Sequence, residues 1–231
     1  MIDTVDASTP NATYLPDLTI TAVESVHLRL PAVDAERCDG TQDTLLIFVT
    51  ASDGTVGIGE VDSSPLVAKA VVEAPPSHLI ARGLRSVLLG RNPLDIDALW
   101  HAMVEATRYF SGGATMHAIS GADIALWDLA GKVLGLPVAR LLGGPRSDRL
   151  VAYASAVMPD TPDQAAAAAE SFVQQGYRAM KFGWGPIGQD LGRNEELVRG
   201  IRTAAGDQVM IMIDAGQVWD TKTALRMAAM L

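Results

Sequence analysis

The sequence predicts an α+β unit followed by repeated βα units of a parallel sheet, and three observations predict it. From about residue 19 to residue 136 strand patterns come first and helical patterns follow, the order of an α+β fold. Beyond the punctuation Gly143-Gly144-Pro145-Arg146, strand and helix patterns alternate at near-constant spacing, as βα units do. With 231 residues, 48% hydrophobic and 19% charged, the chain can bury a sizeable core in one or two domains, which excludes wholesale disorder.

Residues 1–18 are polar, hold two prolines and carry no Lys or Arg, so they read as a loose leader with neither the basic nor the apolar region of a signal peptide. Asn11-Ala12-Thr13 matches a glycosylation sequon, but without an export signal it reads as chance. Val26-His27-Leu28-Arg29-Leu30 alternates as a half-buried strand does. Thr44–Thr50 and Thr55–Val61 flank Ala51-Ser52-Asp53-Gly54, a hairpin signal, so the three strands form a small antiparallel meander. Pro31–Gln42, between the first two strands, has loop composition and the length of a flap.

Helices are expected near 65–74, 77–89, 95–109 and 114–134, separated by Pro75-Pro76, Gly90-Arg91-Asn92-Pro93 and Ser111-Gly112-Gly113. Leu99 and Met103 share one face of the third. In the second half, a strand at Leu150–Ser155 leads to a helix at 161–175, opened by Thr161-Pro162 and closed by Gly176. A strand at Ala179–Phe182 leads to a helix near 194–205, closed by Gly206. A strand at Val209–Asp214 leads to a helix opened by Asp220-Thr221 and running to Leu231. Val151, Met180 and Met210 mark the period, 29 and 30 residues apart. Periodicity alone leaves an open doubly wound sheet and a closed barrel equally available.

Composition narrows the function classes. Eighteen Lys and Arg against 27 Asp and Glu give a net charge of −9, with no basic block, which argues against a nucleic-acid binder. The longest apolar runs fall short of a membrane span. Cys38 is the single cysteine, so no internal disulfide exists and a reducing, cytoplasmic setting is the simpler reading.

Two ionisable residues fall at strand ends. Lys181 lies near the end of Ala179–Phe182, and Asp214 closes the apolar run Val209-Met210-Ile211-Met212-Ile213. In a barrel the carboxyl ends of the strands converge on one mouth. There a carboxylate suits a hard cation such as Mg²⁺, and a neighbouring lysine can bind a substrate carboxylate. The bland alternatives are a solvated lysine and an aspartate capping a turn. A rival motif is Gly183-Trp184-Gly185-Pro186-Ile187-Gly188, which spells the dinucleotide fingerprint G-x-G-x-x-G after a strand. Against it, the following helix is expected only near 194, Asp214 lies 26 residues beyond Gly188, and the preceding strand carries Lys181.

Residues 118–144, AISGADIALWDLAGKVLGLPVARLLGG, read bottom-up as a broad apolar helix face with small residues for close approach, stopped by Gly135 and Pro137. As a string this segment resembles the helix signature of the mandelate racemase and muconate lactonizing enzyme family of the enolase superfamily. The matching positions are Ala118, Ser120-Gly121, Asp123, Ala125-Leu126, Asp128-Leu129, Gly131-Lys132, Pro137-Val138 and Leu141-Leu142-Gly143; Ala122 stands where a larger aliphatic is usual. The resemblance covers roughly residues 19–231. It implies an α+β capping domain over 19–144, with its meander loop closing over a barrel mouth. Residues 145–231 would then be the first three βα units of a (β/α)₈-type barrel, truncated. The implied chemistry is Mg²⁺-assisted abstraction of a proton α to a carboxylate, the metal stabilising the enediolate.

By the same resemblance Asp214 is the first of three acidic metal ligands and Lys181 is the first lysine of a Lys-x-Lys pair that serves the catalytic site. Gly183 stands where the second, basic lysine would be, and glycine cannot abstract a proton. Members without that lysine work from a base on the opposite side, typically as acid-sugar dehydratases. Asp214-Ala215-Gly216 also lacks the Asn commonly found two residues after the ligand. Trp184 and Trp219 follow the two strand ends and can wall a pocket or simply pack. Eight units of about 30 residues from residue 145 would reach about residue 385. The chain is therefore expected to be an incomplete piece, inactive alone. Its remaining metal ligands and base would lie beyond Leu231. The expected partner is a small-molecule carboxylate, with self-association compatible and substrate choice left to the capping loops. The alternatives are a racemase, epimerase or cycloisomerase of the same superfamily, a nicotinamide-dinucleotide oxidoreductase, and a non-catalytic assembly module using an exposed sheet edge.

Overall fold

The structure is a computed structural model and describes residues 16–34, 42–188 and 190–230. The sequon, Cys38, most of the leader and most of the Pro31–Gln42 loop lie outside the described residues. The chain divides into two compact units, residues 1–146 and 147–231.

In the first unit β1 (Ile20–Arg29), β2 (Asp43–Ala51) and β3 (Val56–Val61) form an antiparallel sheet in that order. Alternation points Val23, Leu45, Ile47, Val49 and Val61 into the core. The β2–β3 turn closes with Gly54 at φ 86°, a backbone state a side chain resists. The helices are α1 (Pro65–Glu73), α2 (Leu84–Leu88), α3 (Ile96–Thr107), α4 (Gly113–Leu134) and the short α5 (Val138–Leu141), with a 3₁₀ turn over Arg108–Phe110. Burial of Leu99, Met103, Ile119, Leu126 and Leu129 closes the core.

Helix α4 lies directly on β3 because neither backbone carries bulk at the crossing. A Cβ at Gly59 would overlap the Gly121 carbonyl oxygen, and one at Gly57 would overlap that of Ala125. The same helix seals the free edge of β3. Asp128 Oδ2 accepts the Ile58 N–H at 2.8 Å, while Lys132 Nζ donates to the Val56 carbonyl at 2.8 Å and to Asp128 at 2.7 Å. At β1, Lys69 donates to the Ser25 carbonyl at 2.6 Å and Arg85 to the Val23 carbonyl at 2.7 Å. Both cations also meet Glu73.

Several boundaries move from expectation. Strand β1 extends upstream to Ile20, across a register irregularity between Ile20 and Ala22 that breaks the alternating pattern there. Leu18 already packs in the core, so the folded part begins ahead of residue 19. The helix expected at 77–89 is confined to Leu84–Leu88; residues before Gly83 make a turn bridged from His78 to Ala81, and Leu79 faces solvent.

In the second unit β4 (Ala154–Val157), β5 (Ala179–Gly183) and β6 (Met210–Asp214) are parallel in that order, each followed by a helix: α6 (Pro162–Gln174), α7 (Leu191–Ala205) and α8 (Thr221–Met230). Thr161, Asp190 and Asp220 each accept a backbone N–H of the first turn of their helix. Met180, Phe182, Leu197 and Ile201 form the buried centre. The strand expected at Leu150–Ser155 starts instead at Ala154, and Leu150 and Val151 are 92% and 89% exposed. Register partners are Ala154, Met180 and Ile211, spaced 26 and 31 residues, so the period is less regular than Val151 suggested. Helix α7 starts at Leu191, three residues early, because Asp190 caps it. No helix among the described residues is long and apolar enough to cross a membrane.

Candidate functional site

The site is built where β5 and β6 end side by side. Their register sets Lys181 against Met212 and Gly183 against Asp214. Alternation turns these four away from the face on which Met180 and Phe182 are buried. Lys181 Nζ donates to Asp214 Oδ2 at 3.1 Å, and the Gly216 N–H donates to Asp214 Oδ1 at 3.0 Å. The side chains are 29% and 36% exposed, so the pair is open to a ligand. The Gly216 N–H and, after it, the Lys181 ammonium hold the Asp214 carboxyl below its ordinary value of 3.8, against an opposing effect of burial. At neutral pH it is an anion with both oxygens engaged.

Gly183 makes this approach available. A Cβ at residue 183 would lie 2.6 Å from both the Cβ and the carbonyl oxygen of Asp214, a separation that real side chains do not adopt. The strand ends are stitched by Met158 N–H to the Gly183 carbonyl at 2.7 Å and Trp184 N–H to the Asp214 carbonyl at 3.1 Å. Each strand then leaves through two consecutive left-handed residues: Trp184 (φ 62°) and Gly185 (φ 58°) after β5, and Gly216 (φ 56°) and Gln217 (φ 67°) after β6. The Trp184 indole rests on Gly216, where a Cβ would come within 2.7 Å of its Cε3.

The two residues expected to carry chemistry are thus brought into contact. Of the two tryptophans, Trp219 packs against the core of the unit, whereas Trp184 stands 37% exposed. Pattern reading missed the steric role of Gly183 and the left-handed turn at Trp184. The available signal is the glycine run 183–188, which reads at Gly183 as a missing lysine and as a whole as a phosphate loop. As such a loop it fails: the Gly188 N–H is bonded to Asn194 Oδ1 at 3.1 Å, and the Asp190 carboxylate holds the N-terminus of α7 where a pyrophosphate would sit.

A Mg²⁺ ion needs near-octahedral oxygen ligation. Asp214 offers one carboxylate, and the described residues contain no group of three His, Cys, Asp or Glu side chains that could hold a metal. The residues present therefore do not constitute a Mg²⁺ site. A groove of about 520 Å³ lies in the first unit among Leu94, Ile96, Trp127, Ala130, Leu134 and Leu141, with Asp95 and Asp97 also on its lining and no lysine beside them.

Comparison with known proteins gives two family matches. Residues 17–143 match the mandelate racemase / muconate lactonizing enzyme N-terminal domain, and residues 163–231 match the enolase C-terminal domain-like family. An L-rhamnonate dehydratase of Saccharopolyspora erythraea is 32% identical over 186 residues, covering 80% of this chain and 44% of that protein. The structure of a "predicted Mandelate racemase" from Rhodobacter sphaeroides is similar with a TM-score of 0.78 at 32% identity, over 92% of this chain and 54% of that one. A mandelate racemase/muconate lactonizing protein from Paracoccus denitrificans PD1222, complexed with magnesium, is similar with a TM-score of 0.76 at 27% identity, over 92% and 56%. The chain spans about half the length of these relatives.

Proposed function

This chain belongs to the mandelate racemase / muconate lactonizing enzyme family, and from that premise we propose that the whole protein is a metal-dependent dehydratase of an acid sugar. It removes the proton α to the carboxylate and expels a β-hydroxyl as water, leaving an enol that becomes a 2-keto-3-deoxy acid. The observation that carries this reading is Gly183. Racemisation needs a base on each face of the substrate, and the position where Lys-x-Lys members have their second lysine leaves no room here for even a Cβ. One-base chemistry is what this geometry supports, and the likeness to an L-rhamnonate dehydratase supports the same substrate class.

In this reading the Lys181 ammonium binds the substrate carboxylate, and Asp214 is one oxygen ligand of Mg²⁺, a cofactor supported by the magnesium complex of a relative. The remaining ligands and the general base belong to the length of the relatives that this chain does not span. Residues 19–144 act as the capping domain and 145–231 as the opening βα units of a (β/α)₈ barrel. A cytoplasmic, self-associating enzyme fits the same reading. The test is to incubate the whole protein and Mg²⁺ with a panel of aldonic acids in D₂O. Appearance of the 2-keto-3-deoxy acid is expected. A deuterated C2 epimer without keto acid overturns the assignment.

A further inference from the structure

We propose that Trp184 is a specificity-determining residue whose indole forms an apolar wall beside the Lys181–Asp214 pair, against which the C–H face of a polyhydroxylated carboxylate packs. The inference rests on the reading of that pair as substrate-facing. Its own support is the backbone of the residue and the seat of its ring. A bulky aromatic at φ 62° is a genuine outlier, because its Cβ crowds the backbone in the left-handed region. Such strain persists only where the surroundings over-determine it.

Here they do so from several sides. The Trp184 N–H is tied to the Asp214 carbonyl at 3.1 Å, and its own carbonyl accepts the Ile187 N–H at 3.3 Å. Gly185 follows in the same left-handed state, where a Cβ would lie 2.7 Å from the Met158 carbonyl oxygen. The ring occupies the space that a side chain at 216 would take. Burial does not explain the arrangement, since Trp184 is 37% exposed while Trp219, which follows the neighbouring strand β6, packs against the core.

Gly216 connects the wall to the chemistry. Its N–H bonds the Asp214 carboxylate at 3.0 Å and its α-carbon carries the indole, so one residue supports both. A ligand with its carboxylate on Lys181 therefore has the indole beside it. An electron-rich π-face favours polarised C–H groups and the apolar side of a sugar chain. A short carboxylate such as acetate has nothing to lay against it.

The experiment follows the Trp184 indole N–H and the Gly216 amide by NMR while the chain is titrated with D-gluconate and, separately, acetate. Gluconate is expected to move both resonances and acetate only that of Gly216. Trp184→Leu is expected to weaken gluconate binding about tenfold and leave acetate binding within about twofold. Trp184→Gly removes the left-handed strain and is expected to melt at the same or a higher temperature. Gluconate moving Gly216 but not the indole, or binding Trp184→Leu as well as the parent, overturns the role of Trp184 while leaving the pair. If neither ligand moves Gly216, the substrate-facing reading fails and the inference with it. A Trp184→Gly melting temperature several degrees lower shows the indole to be packing and also overturns it.

Discussion

A Cβ at residue 183 would sit 2.6 Å from Asp214, so Gly183→Ala forces β5 and β6 apart at their ends. Overpacking of this kind costs about 1–3 kcal/mol, which urea unfolding of the two chains will register. The same substitution lengthens the 3.1 Å contact between Lys181 and Asp214, so Gly183→Lys is expected to disturb the pair rather than supply a second base. Glu73 gives the clearest response to pH. Lys69 foremost, with Ser25 and Arg85, holds its carboxyl below the ordinary 4.5, outweighing an upward push from burial. A depressed folded value means the contribution of Glu73 is complete above 4.5 and disappears as pH falls through that folded value. Between pH 6 and 3, the melting temperature of the parent is expected to fall more steeply than that of Glu73→Gln. At this scale the strand-end positions of Lys181 and Asp214 were legible, because apolar strand patterns lead up to them. The need for glycine at 183 was not, since the atoms that impose it belong to residue 214. The φ of Trp184 was hidden for the same reason: it is fixed by bonds to Asp214 and Ile187.

The crossing of α4 on β3 shows how an element can be legible while its reason is not. The small residues Ser120, Gly121 and Ala125 marked a close approach, but the other half of it, Gly57 and Gly59, reads as an ordinary strand until the helix is laid on top. Gly59→Ala drives a methyl into the Gly121 carbonyl and is expected to cost on the order of 3 kcal/mol, at the upper end of core overpacking, in chemical denaturation. Asp128→Ala removes the acceptor of the Ile58 N–H on the strand edge. About 1 kcal/mol is expected for this partly exposed hydrogen bond, with faster hydrogen exchange at the Ile58 amide as its local signature. Capped helices such as α6 fell close to their expected positions because their stop and start residues act locally. Strand β4 was displaced because pairing with β5, rather than the apolar residues Leu150 and Val151, decides which residues extend. Strand β1 runs upstream of the alternating segment Val26–Leu30 as far as Ile20, across a register irregularity that local alternation cannot foresee.

At the scale of the molecule, the two units hold separate cores, one of helices on an antiparallel sheet and one of helices on a parallel sheet. That division followed from the change of pattern after Gly143-Gly144, whereas closure of the second sheet into a barrel is not a property of three strands. On the face that carries Lys181 and Asp214, Val157 and Met210 are 56% and 62% exposed. Titration calorimetry of the 231-residue chain with Mg²⁺ is expected to show no tight binding, because Asp214 alone cannot complete an octahedral shell; a micromolar dissociation constant would contradict the count of ligands. The net charge of −9 offers no general attraction for an anion, so in the proposed reading the substrate carboxylate depends on a local cation such as Lys181. The seal on β3 also sets a schedule for synthesis. Ile58 and Asp128 are 70 positions apart, and at ~5–20 residues per second the ribosome needs several seconds to follow the strand with its cover. During that interval the nascent meander presents an unprotected edge, so slowed translation between codons 60 and 130 is expected to increase chaperone demand.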